Sequence, residues 1–186
     1  MKPGVRALGI AESYRTERST LAGAVVRANR VVDGFAFTTC TVGGTDATDA
    51  IVSLSADLDR PDVSYVFVAG IAPAWFNVLN LQRLHKAIER PVLSVTFEAS
   101  PGLADTIRES FDGDAQRRRL ATYRAQPDRR RVAVEDGAVF VRSVGIDDED
   151  AEEVVRAFTP AGERPDPVRV ARQAARAADE FRHESE

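Results

Sequence analysis

Residues 31–51, "VVDGFAFTTCTVGGTDATDAI", mark the point at which the hydrophobic pattern of the chain changes. Up to Val42 most residues are apolar, aromatic or β-branched, which is typical of a strand. Two glycines follow, and apolar residues then recur every three or four positions, which predicts an amphipathic helix over residues 46–59. The stretch is therefore a strand-to-helix junction, and the fold depends on the elements that flank it.

Two further strands are predicted upstream of this junction. Residues 5–10, "VRALGI", form a short apolar run, and residues 20–28, "TLAGAVVRA", form a longer one. Asn29 and Arg30 separate the longer run from the strand at the junction. Because asparagine tolerates a positive φ, this pair predicts a two-residue hairpin turn.

Strands and helices alternate downstream of the junction. An apolar run at 63–70 predicts a strand covered on both faces, and a helix at 76–90 and a strand at 91–97 follow it. The remaining predicted elements are a helix at 102–126, a hairpin of 131–134 with 138–144, and helices at 148–158 and 164–181. The order β-β-β-α-β-α-β, followed by a C-terminal hairpin and helices, predicts a single α/β domain over residues 1–186, with a mixed sheet flanked by helices.

The composition is that of an ordinary globular protein with a mild negative charge. The 186 residues carry a formal net charge of −4, which argues against a dedicated nucleic-acid coat but leaves a local basic patch open. The single cysteine, Cys40, excludes an internal disulfide and is predicted to be buried. No apolar run is long enough to predict a membrane span, and no signal peptide is recognised, so the cytoplasm is the predicted location.

The polar residues of the junction fit two interpretations; they are Thr45, Asp46, Thr48 and Asp49. In the first, Thr45 or Asp46 is the N-cap of the helix, and Asp49, three residues after Asp46, completes an arrangement like a capping box. In the second, these residues hold a metal ion or a phosphate, since carboxylates bind hard cations and a helix N-terminus binds anions. The two interpretations are compatible.

Asn77 and Asn80, in the string "WFNVLN", are the next candidates. Asparagines do not belong on an apolar helix face without hydrogen-bond partners, so they either cap the helix or contact a ligand. Together with Thr45 and Thr48 they are the predicted pocket residues. The neighbouring aromatic residues, Trp75 and Phe76, are predicted to pack in the core or under the edge of a strand.

Arginines supply nearly all of the positive charge of the chain, because only Lys2 and Lys86 are lysines. Two groups are candidates for binding phosphates: Arg117 and Arg118 in an arginine-rich segment, and Arg169, Arg172 and Arg176 on one face of the last helix. The alternative is that they are solvated side chains on helix surfaces. Apart from Tyr123, no aromatic residue is interleaved with the arginine-rich segment for base stacking.

Several unusual strings occur in the same order as in a known family. The chain resembles the archaeal family called domain of unknown function 99 in the strings "LGIAES", "GGTDAT", "GIAPAWFNVLNL", "RPVLSV", "AEEVVR" and "PDPVRVA". The resemblance covers essentially the whole chain. That family is similar to endonuclease V, so the resemblance implies a ribonuclease H-like fold, which begins with the strand and helix order predicted above.

The resemblance also implies a chemistry. Endonuclease V cleaves nucleic acid near deaminated bases, inosine above all, with bound magnesium, which implies Mg²⁺ or Mn²⁺ as cofactor and DNA or RNA as partner. The residues that correspond to the acidic centre are Glu12, Asp46 and Asp49, with Glu12 and Asp46 as metal ligands. Two positions depart from the pattern, because Ala11 and Ala69 stand where aspartates are expected.

These departures favour a nuclease relative that binds nucleic acid through a degenerate metal site. A retained magnesium-dependent endonuclease that acts on deaminated nucleic acid is the first alternative. The second is a non-catalytic domain on the same scaffold that binds a small molecule or a protein, because the fold by itself does not fix the function.

Overall fold

In the computed structural model, which describes residues 1–162 and 164–184, seven strands form one mixed sheet. The strands, in chain order, are β1 (Arg6–Tyr14), β2 (Arg18–Arg27), β3 (Val32–Thr41), β4 (Val63–Ala69), β5 (Val92–Thr96), β6 (Arg130–Val134) and β7 (Gly137–Val144). Across the sheet their order is β3-β2-β1-β4-β5-β7-β6. Strands β1, β4 and β5 are parallel to one another, and the other pairings are antiparallel.

Helices cover both faces of this sheet. Those of the described residues are α1 (Ala47–Leu58), α2 (Pro73–Phe76), α3 (Leu81–Ile88), α4 (Ala104–Ser110), α5 (Gly113–Arg124), α6 (Asp148–Ala157) and α7 (Asp166–Glu184). The predicted order of elements and the ribonuclease H-like architecture are confirmed. The late hairpin, β6 and β7, extends the main sheet because β7 pairs with β5.

The core divides into layers because successive side chains of a strand point to opposite faces. On β4, Val66 and Val68 pack in the cluster that contains residues of α1 and α3. Phe67, between them, packs in the cluster that contains residues of α6 and α7, where its ring lies 5.5 Å from that of Phe158. The central strands are therefore buried on both faces, as the apolar run at 63–70 predicts.

Helix α7 packs directly against β1 and β2, where small residues allow a close approach. A Cβ atom at Gly9 would lie 2.1 Å from the backbone of Pro167, so a larger residue there would displace the helix. Ala11, Ala24 and Ala171 are buried in the same contact. Ala11, which stands where an aspartate is expected, therefore faces α7.

The hairpin turn differs from its prediction. The predicted two-residue turn is wrong, because β2 ends at Arg27 and β3 begins at Val32. The backbone N–H of Arg27 donates to the carbonyl of Val31, and Arg30, not Asn29, has a positive φ, of 72°.

Two predicted helices also have different bounds. The helix predicted at 102–126 is two helices, α4 and α5, separated at Phe111, which is extended with φ −140° and ψ 152°. The helix predicted at 76–90 begins at Leu81, after the separate turn α2. Within the described ranges, no helix has both the length and the apolar character that a membrane crossing requires.

Candidate nucleic-acid interface

A cavity of about 460 Å³ opens at the carboxyl ends of β4 and β5. Its floor includes Ala69 and Gly70 from the end of β4, and Thr96 and Phe97 from the end of β5. The crevice beyond the carboxyl ends of parallel strands is the usual ligand-binding position in open α/β sheets. The cavity therefore lies where the topology predicts a site.

The cavity wall combines arginines with aromatic rings. Measured from the arginine Cζ to the ring centroid, the stacked pairs are Arg129 with Phe140 at 4.8 Å, Arg142 with Tyr123 at 5.7 Å and Arg164 with Phe97 at 4.5 Å. Arg172 completes the basic side, and the described lining contains one acidic residue, Glu98. A stacked guanidinium keeps its N–H edge available for a phosphate or a base.

Backbone contacts hold part of this wall in place. Arg129 donates a hydrogen bond of 2.7 Å to the carbonyl of Ser100, and Arg142 donates to the carbonyl of Pro127. Burial lowers the pKa of Arg142 from its ordinary value, although the side chain remains charged near neutral pH. The cavity therefore has a positively charged wall that is held in part by hydrogen bonds to the backbone.

The junction residue Asp46 turns away from the helix that it precedes. Its carboxylate accepts hydrogen bonds from the Thr41 N–H at 3.0 Å, from the Thr41 hydroxyl at 2.8 Å and from the Asn77 side-chain amide at 2.7 Å. Burial raises the pKa of Asp46, but these hydrogen bonds outweigh it and hold the pKa below its ordinary value. Asp46 occupies the N-cap position of α1, as predicted, but its side chain makes no capping hydrogen bond.

Asn77 caps the helix instead of Asp46. Its side-chain oxygen accepts from the Ala47 N–H at 3.0 Å, and its amide group also donates to the carbonyl of Thr41 at 2.9 Å. The side chain is fully buried. Asn77, predicted as a pocket residue, is thus a structural link between three segments.

The other residues of the junction lie around a second cavity, of about 340 Å³. Thr45, Thr48 and Asn80, all predicted pocket residues, line it together with Arg83 and Arg118. The Thr48 hydroxyl accepts from the Asn80 N–H at 3.1 Å, and the Asn80 side chain caps α3 by accepting from the Arg83 N–H at 2.9 Å.

Asp49 takes no part in a capping box. Its side chain is exposed and forms an ion pair with Arg83. An exposed pair of this kind contributes little to stability. Asp49 is also bound to a partner on α3 rather than directed toward Glu12 or Asp46.

Glu12 lies within β1, because the strand continues to Tyr14. Its carboxylate accepts a hydrogen bond of 2.7 Å from the Ser19 hydroxyl. Burial raises the pKa of the neighbouring thiol, Cys40, to about 12, and the negative charges of Asp46 and Glu12 contribute. The carboxylates of Glu12 and Asp46 therefore both lie near the Cys40 thiol. Cys40 is buried, as predicted.

These residues do not fit the metal centre that the resemblance implies. A two-ion nuclease site needs several carboxylates that converge on the ions. Among residues 1–162 and 164–184, no three His, Cys, Asp or Glu side chains are placed to hold a metal ion. Glu12 and Asp46 already accept hydrogen bonds from protein donors, and alanines occupy positions 11 and 69.

The predicted phosphate-binding arginines do not form one surface. Arg172 lines the strand-end cavity, and Arg118 lines the second cavity. Arg169 is paired with the buried Asp166, and Arg117 with Asp114. Arg176 is exposed on α7, one turn beyond Arg172.

Sequence reasoning did not identify Arg129, Arg142 and Arg164 as neighbours of Arg172. They lie directly before β6, on β7 and shortly before α7, and no spacing in the sequence relates them to Arg172. The alternation of apolar and polar residues in β7 was the available signal, because Arg142 follows the buried Val141. The rings beside these arginines are Phe140, Tyr123 and Phe97. Of these, only Tyr123 lies within the arginine-rich segment of the sequence.

The fold and this site define a class of protein. The structure matches endonuclease V from Bacillus subtilis with a TM-score of 0.65 and 10% identity, over 100% of this chain and 84% of that one. It matches endonuclease V from Ciona intestinalis, solved with a DNA that contains inosine, with a TM-score of 0.60 and 12% identity, over 94% and 85% of the two chains. At these identities the likeness establishes the endonuclease V-like, ribonuclease H-like fold alone.

The sequence places the chain more narrowly within this class. A model of the family described as endonuclease dU matches residues 3–179, and the chain belongs to that family. A UPF0215 protein of Pyrobaculum calidifontis is 32% identical over 176 residues, which are 94% of this chain and 97% of the relative. A protein of unknown function from Archaeoglobus fulgidus has a TM-score of 0.85 and 24% identity, over 94% and 98% of the chains. The expected relation to an uncharacterised archaeal family is confirmed.

Proposed function

We propose that this protein binds nucleic acid and that the strand-end cavity receives one nucleotide of the bound strand. The observation that carries the proposal is the stacking of Arg129, Arg142 and Arg164 on aromatic rings around that cavity. The endonuclease V-like fold supports it, because the Ciona endonuclease V was solved with DNA.

The size and charge of the cavity suit a nucleotide. A volume of about 460 Å³ lies within the range of small-ligand sites, roughly 300–1,000 Å³. Four arginines against one glutamate make the described wall positive, although the whole chain carries a net charge of −4. Such a local concentration of positive charge attracts a phosphate backbone.

The nucleotide that we propose is a deaminated one in DNA. The family description, endonuclease dU, contains the standard abbreviation for deoxyuridine. The Ciona endonuclease V was solved with DNA that contains inosine, also a deaminated nucleoside. A base that is deaminated within a duplex is mismatched with its original partner, so less free energy is needed to bring it out of the duplex and into a cavity.

Cleavage of that DNA is the second candidate function, which the family description favours. In this alternative Glu12 and Asp46 would exchange their protein donors for Mg²⁺ or Mn²⁺, and Asp49 would have to leave Arg83 to act as a third catalytic carboxylate. The hydrogen bonds that already occupy Glu12 and Asp46 support binding without two-ion catalysis.

A binding assay tests the first proposal. We expect fluorescence anisotropy to show that labelled DNA with one deoxyuridine or inosine binds more tightly than undamaged DNA or RNA. Affinity should fall steeply between about 50 and 200 mM salt, because bound phosphates release counterions. Arg172→Ala should reduce the slope of that dependence by about one, the effect of one lost phosphate contact.

Arg156→Ala is the matched control for this assay. Arg156 is an exposed arginine of α6, paired with Glu152, that does not line the cavity. Equal effects of the two substitutions, or no binding of any oligonucleotide at low salt, would refute the proposed function. The same oligonucleotides on a denaturing gel, with Mg²⁺ or Mn²⁺ and with EDTA, test cleavage.

A further inference from the structure

The turn α2 has an unusual backbone. Ala74, Trp75 and Phe76 are consecutive left-handed residues, with φ values of 48°, 53° and 60°. A residue with a Cβ atom rarely adopts this conformation, because the Cβ approaches the following carbonyl. Strain of this kind persists only where the surrounding structure fixes it, and it is concentrated at functional sites.

Arg119 is one of the contacts that fix this turn. Its guanidinium donates to the carbonyl of Phe76 at 3.0 Å, to the carbonyl of Gly44 at 3.0 Å and to that of Gly43. Its Cζ atom also lies 3.9 Å from the centroid of the Phe111 ring. The side chain is 5% exposed, and burial lowers the pKa of the guanidinium. Arg119, on α5, thus links that helix to α2 and to the pair Gly43 and Gly44 that follows β3.

The ring of Trp75 packs against the backbone of Gly43. The Gly43 N–H donates to the carbonyl of Ala74 at 2.7 Å. A Cβ atom at Gly43 would lie 3.1 Å from the Trp75 ring, and the φ of 68° there also favours glycine. The glycine that follows β3 is therefore required by the ring as well as by the turn.

The result is an aromatic ring that is held rigidly and remains open to solvent. Trp75 packs against Phe76, with ring centroids 6.1 Å apart, and against Phe111 at 5.2 Å. Its side chain is nevertheless 48% exposed. Of the two predicted positions for Trp75, in the core or under the edge of a strand, the core is therefore wrong.

The segment that carries this ring reaches both cavities, although Trp75 itself lines neither of them. Ile71 and Ala72, directly before α2, line the strand-end cavity. Arg119, which holds the turn, lines the second cavity together with Thr45 and Arg118. Val78 and Asn80, which follow α2, also line the second cavity, so Trp75 lies on the segment that connects the two cavities.

We propose that Trp75 is a platform on which an unpaired base of the bound strand stacks, adjacent to the nucleotide in the strand-end cavity. This inference rests on the proposed nucleic-acid binding and adds a second, sequence-tolerant contact, since every base has a face that can stack. One ring with arginines beside it suits a base better than a protein partner, because stable protein interfaces bury roughly 800 Å² on each side.

The fluorescence of the protein tests this directly, because Trp75 is the only tryptophan in the chain. Unlabelled single-stranded DNA with one central deoxyuridine is titrated into the wild-type protein. In parallel, anisotropy of the same oligonucleotide carrying a fluorescein label reports binding. We expect tryptophan quenching that saturates at the same DNA concentration as the anisotropy, because a stacked base quenches an indole.

Substitutions separate stacking from charge. Trp75→Ala should weaken binding roughly 5- to 150-fold, the range for loss of one stacked base, and should leave the slope of affinity against salt unchanged. Trp75→Phe should keep part of the affinity. Phe37→Ala is the matched control, because Phe37 is a 53% exposed ring on the edge strand β3, away from both cavities, and its loss should change nothing.

The outcomes distinguish the two proposals. Binding without quenching, together with full affinity of Trp75→Ala, would overturn the stacking platform and leave the proposed function standing. No anisotropy change at low salt would overturn both. Quenching by an added protein partner but not by DNA would also overturn the platform and assign Trp75 to a protein interface.

Discussion

The side-chain amide of Asn77 donates a hydrogen bond of 2.7 Å to the carboxylate of Asp46, and through it the segment after β4 fixes the start of α1. Asn77 also accepts from the first N–H of that helix, at Ala47. A helix usually takes its cap from the residue that precedes it. Here the preceding residue, Asp46, is bound to Thr41, so the cap comes from another segment.

Asn77→Ala should therefore lower the free energy of unfolding by about 2–4 kcal/mol. The substitution leaves the buried N–H of Ala47 without its partner, which costs roughly 1–3 kcal/mol. It also removes one hydrogen bond each from the Thr41 carbonyl and the Asp46 carboxylate, which keep other partners. Urea unfolding followed by far-UV circular dichroism measures the loss. Asn80→Ala, which removes an ordinary helix cap, should cost only about 1 kcal/mol. Equal losses in the two variants would contradict the linking role of Asn77.

Arg119→Lys should destabilise the protein although it keeps the charge. Lysine has a single ammonium group and cannot donate to the carbonyls of Gly43, Gly44 and Phe76 in the planar arrangement of arginine. Lost hydrogen bonds from a charged donor cost roughly 1.5–3 kcal/mol. We expect a lower melting temperature and a red shift of Trp75 emission as the ring is released into solvent.

Arg118→Lys is the neighbouring control for this prediction. Arg118 is exposed, so a lysine in its place keeps the charge and disturbs no buried contact. An unchanged emission spectrum in Arg119→Lys would show that the turn α2 does not need the guanidinium.

Asp33 should make the stability of the protein depend on pH in the acid range. The hydrogen bond from Arg27, at 2.6 Å, lowers the pKa of Asp33 from 3.8 to about 2; burial opposes this shift, and a second hydrogen bond, from Arg6, adds to it. A carboxyl with a depressed pKa stabilises the folded state above its unfolded pKa, and this stabilisation is lost as pH falls toward the folded pKa. Wild type should therefore exceed Asp33→Asn in stability at pH 6.

That difference should disappear between about pH 4 and pH 2, the interval from the unfolded to the folded pKa of Asp33. Urea unfolding of both proteins at a series of pH values measures it. A difference that stays constant down to pH 2 would mean that the carboxylate is not the titrating group.

The periodicity of the sequence was sufficient to predict the order of strands and helices. An apolar run such as residues 63–70, which is short, rich in valine and aromatic residues and bounded by turns, is typical of a strand covered on both faces, and this property is local. The break at Phe111 could not be predicted in this way. The break depends on contacts that the Phe111 ring makes with other elements. Its centroid lies 5.2 Å from that of the Trp75 ring, and the guanidinium of Arg119 lies over it.

The candidate site was predicted less well for the same reason. The string around Asp46 has the composition of a helix start, and nothing in it shows that the carboxylate turns back to Thr41. Whether an arginine is solvated or lines a cavity depends on its neighbours in space. Arg172 lies beside a cavity, whereas Arg169, three residues earlier, is paired with Asp166.

Divalent ions should bind the free protein weakly or not at all. An ion at one hundred times its dissociation constant would stabilise the folded state by about 2.7 kcal/mol, which is a rise of roughly 5–10 °C in melting temperature for a chain of this length. Because Glu12 and Asp46 are hydrogen-bonded to protein donors, we expect 10 mM Mg²⁺ or Mn²⁺ to leave the melting temperature unchanged relative to EDTA. A rise of several degrees in wild type that Glu12→Gln abolishes would contradict this expectation. It would show that these carboxylates hold an ion, and cleavage of DNA would then become the favoured function.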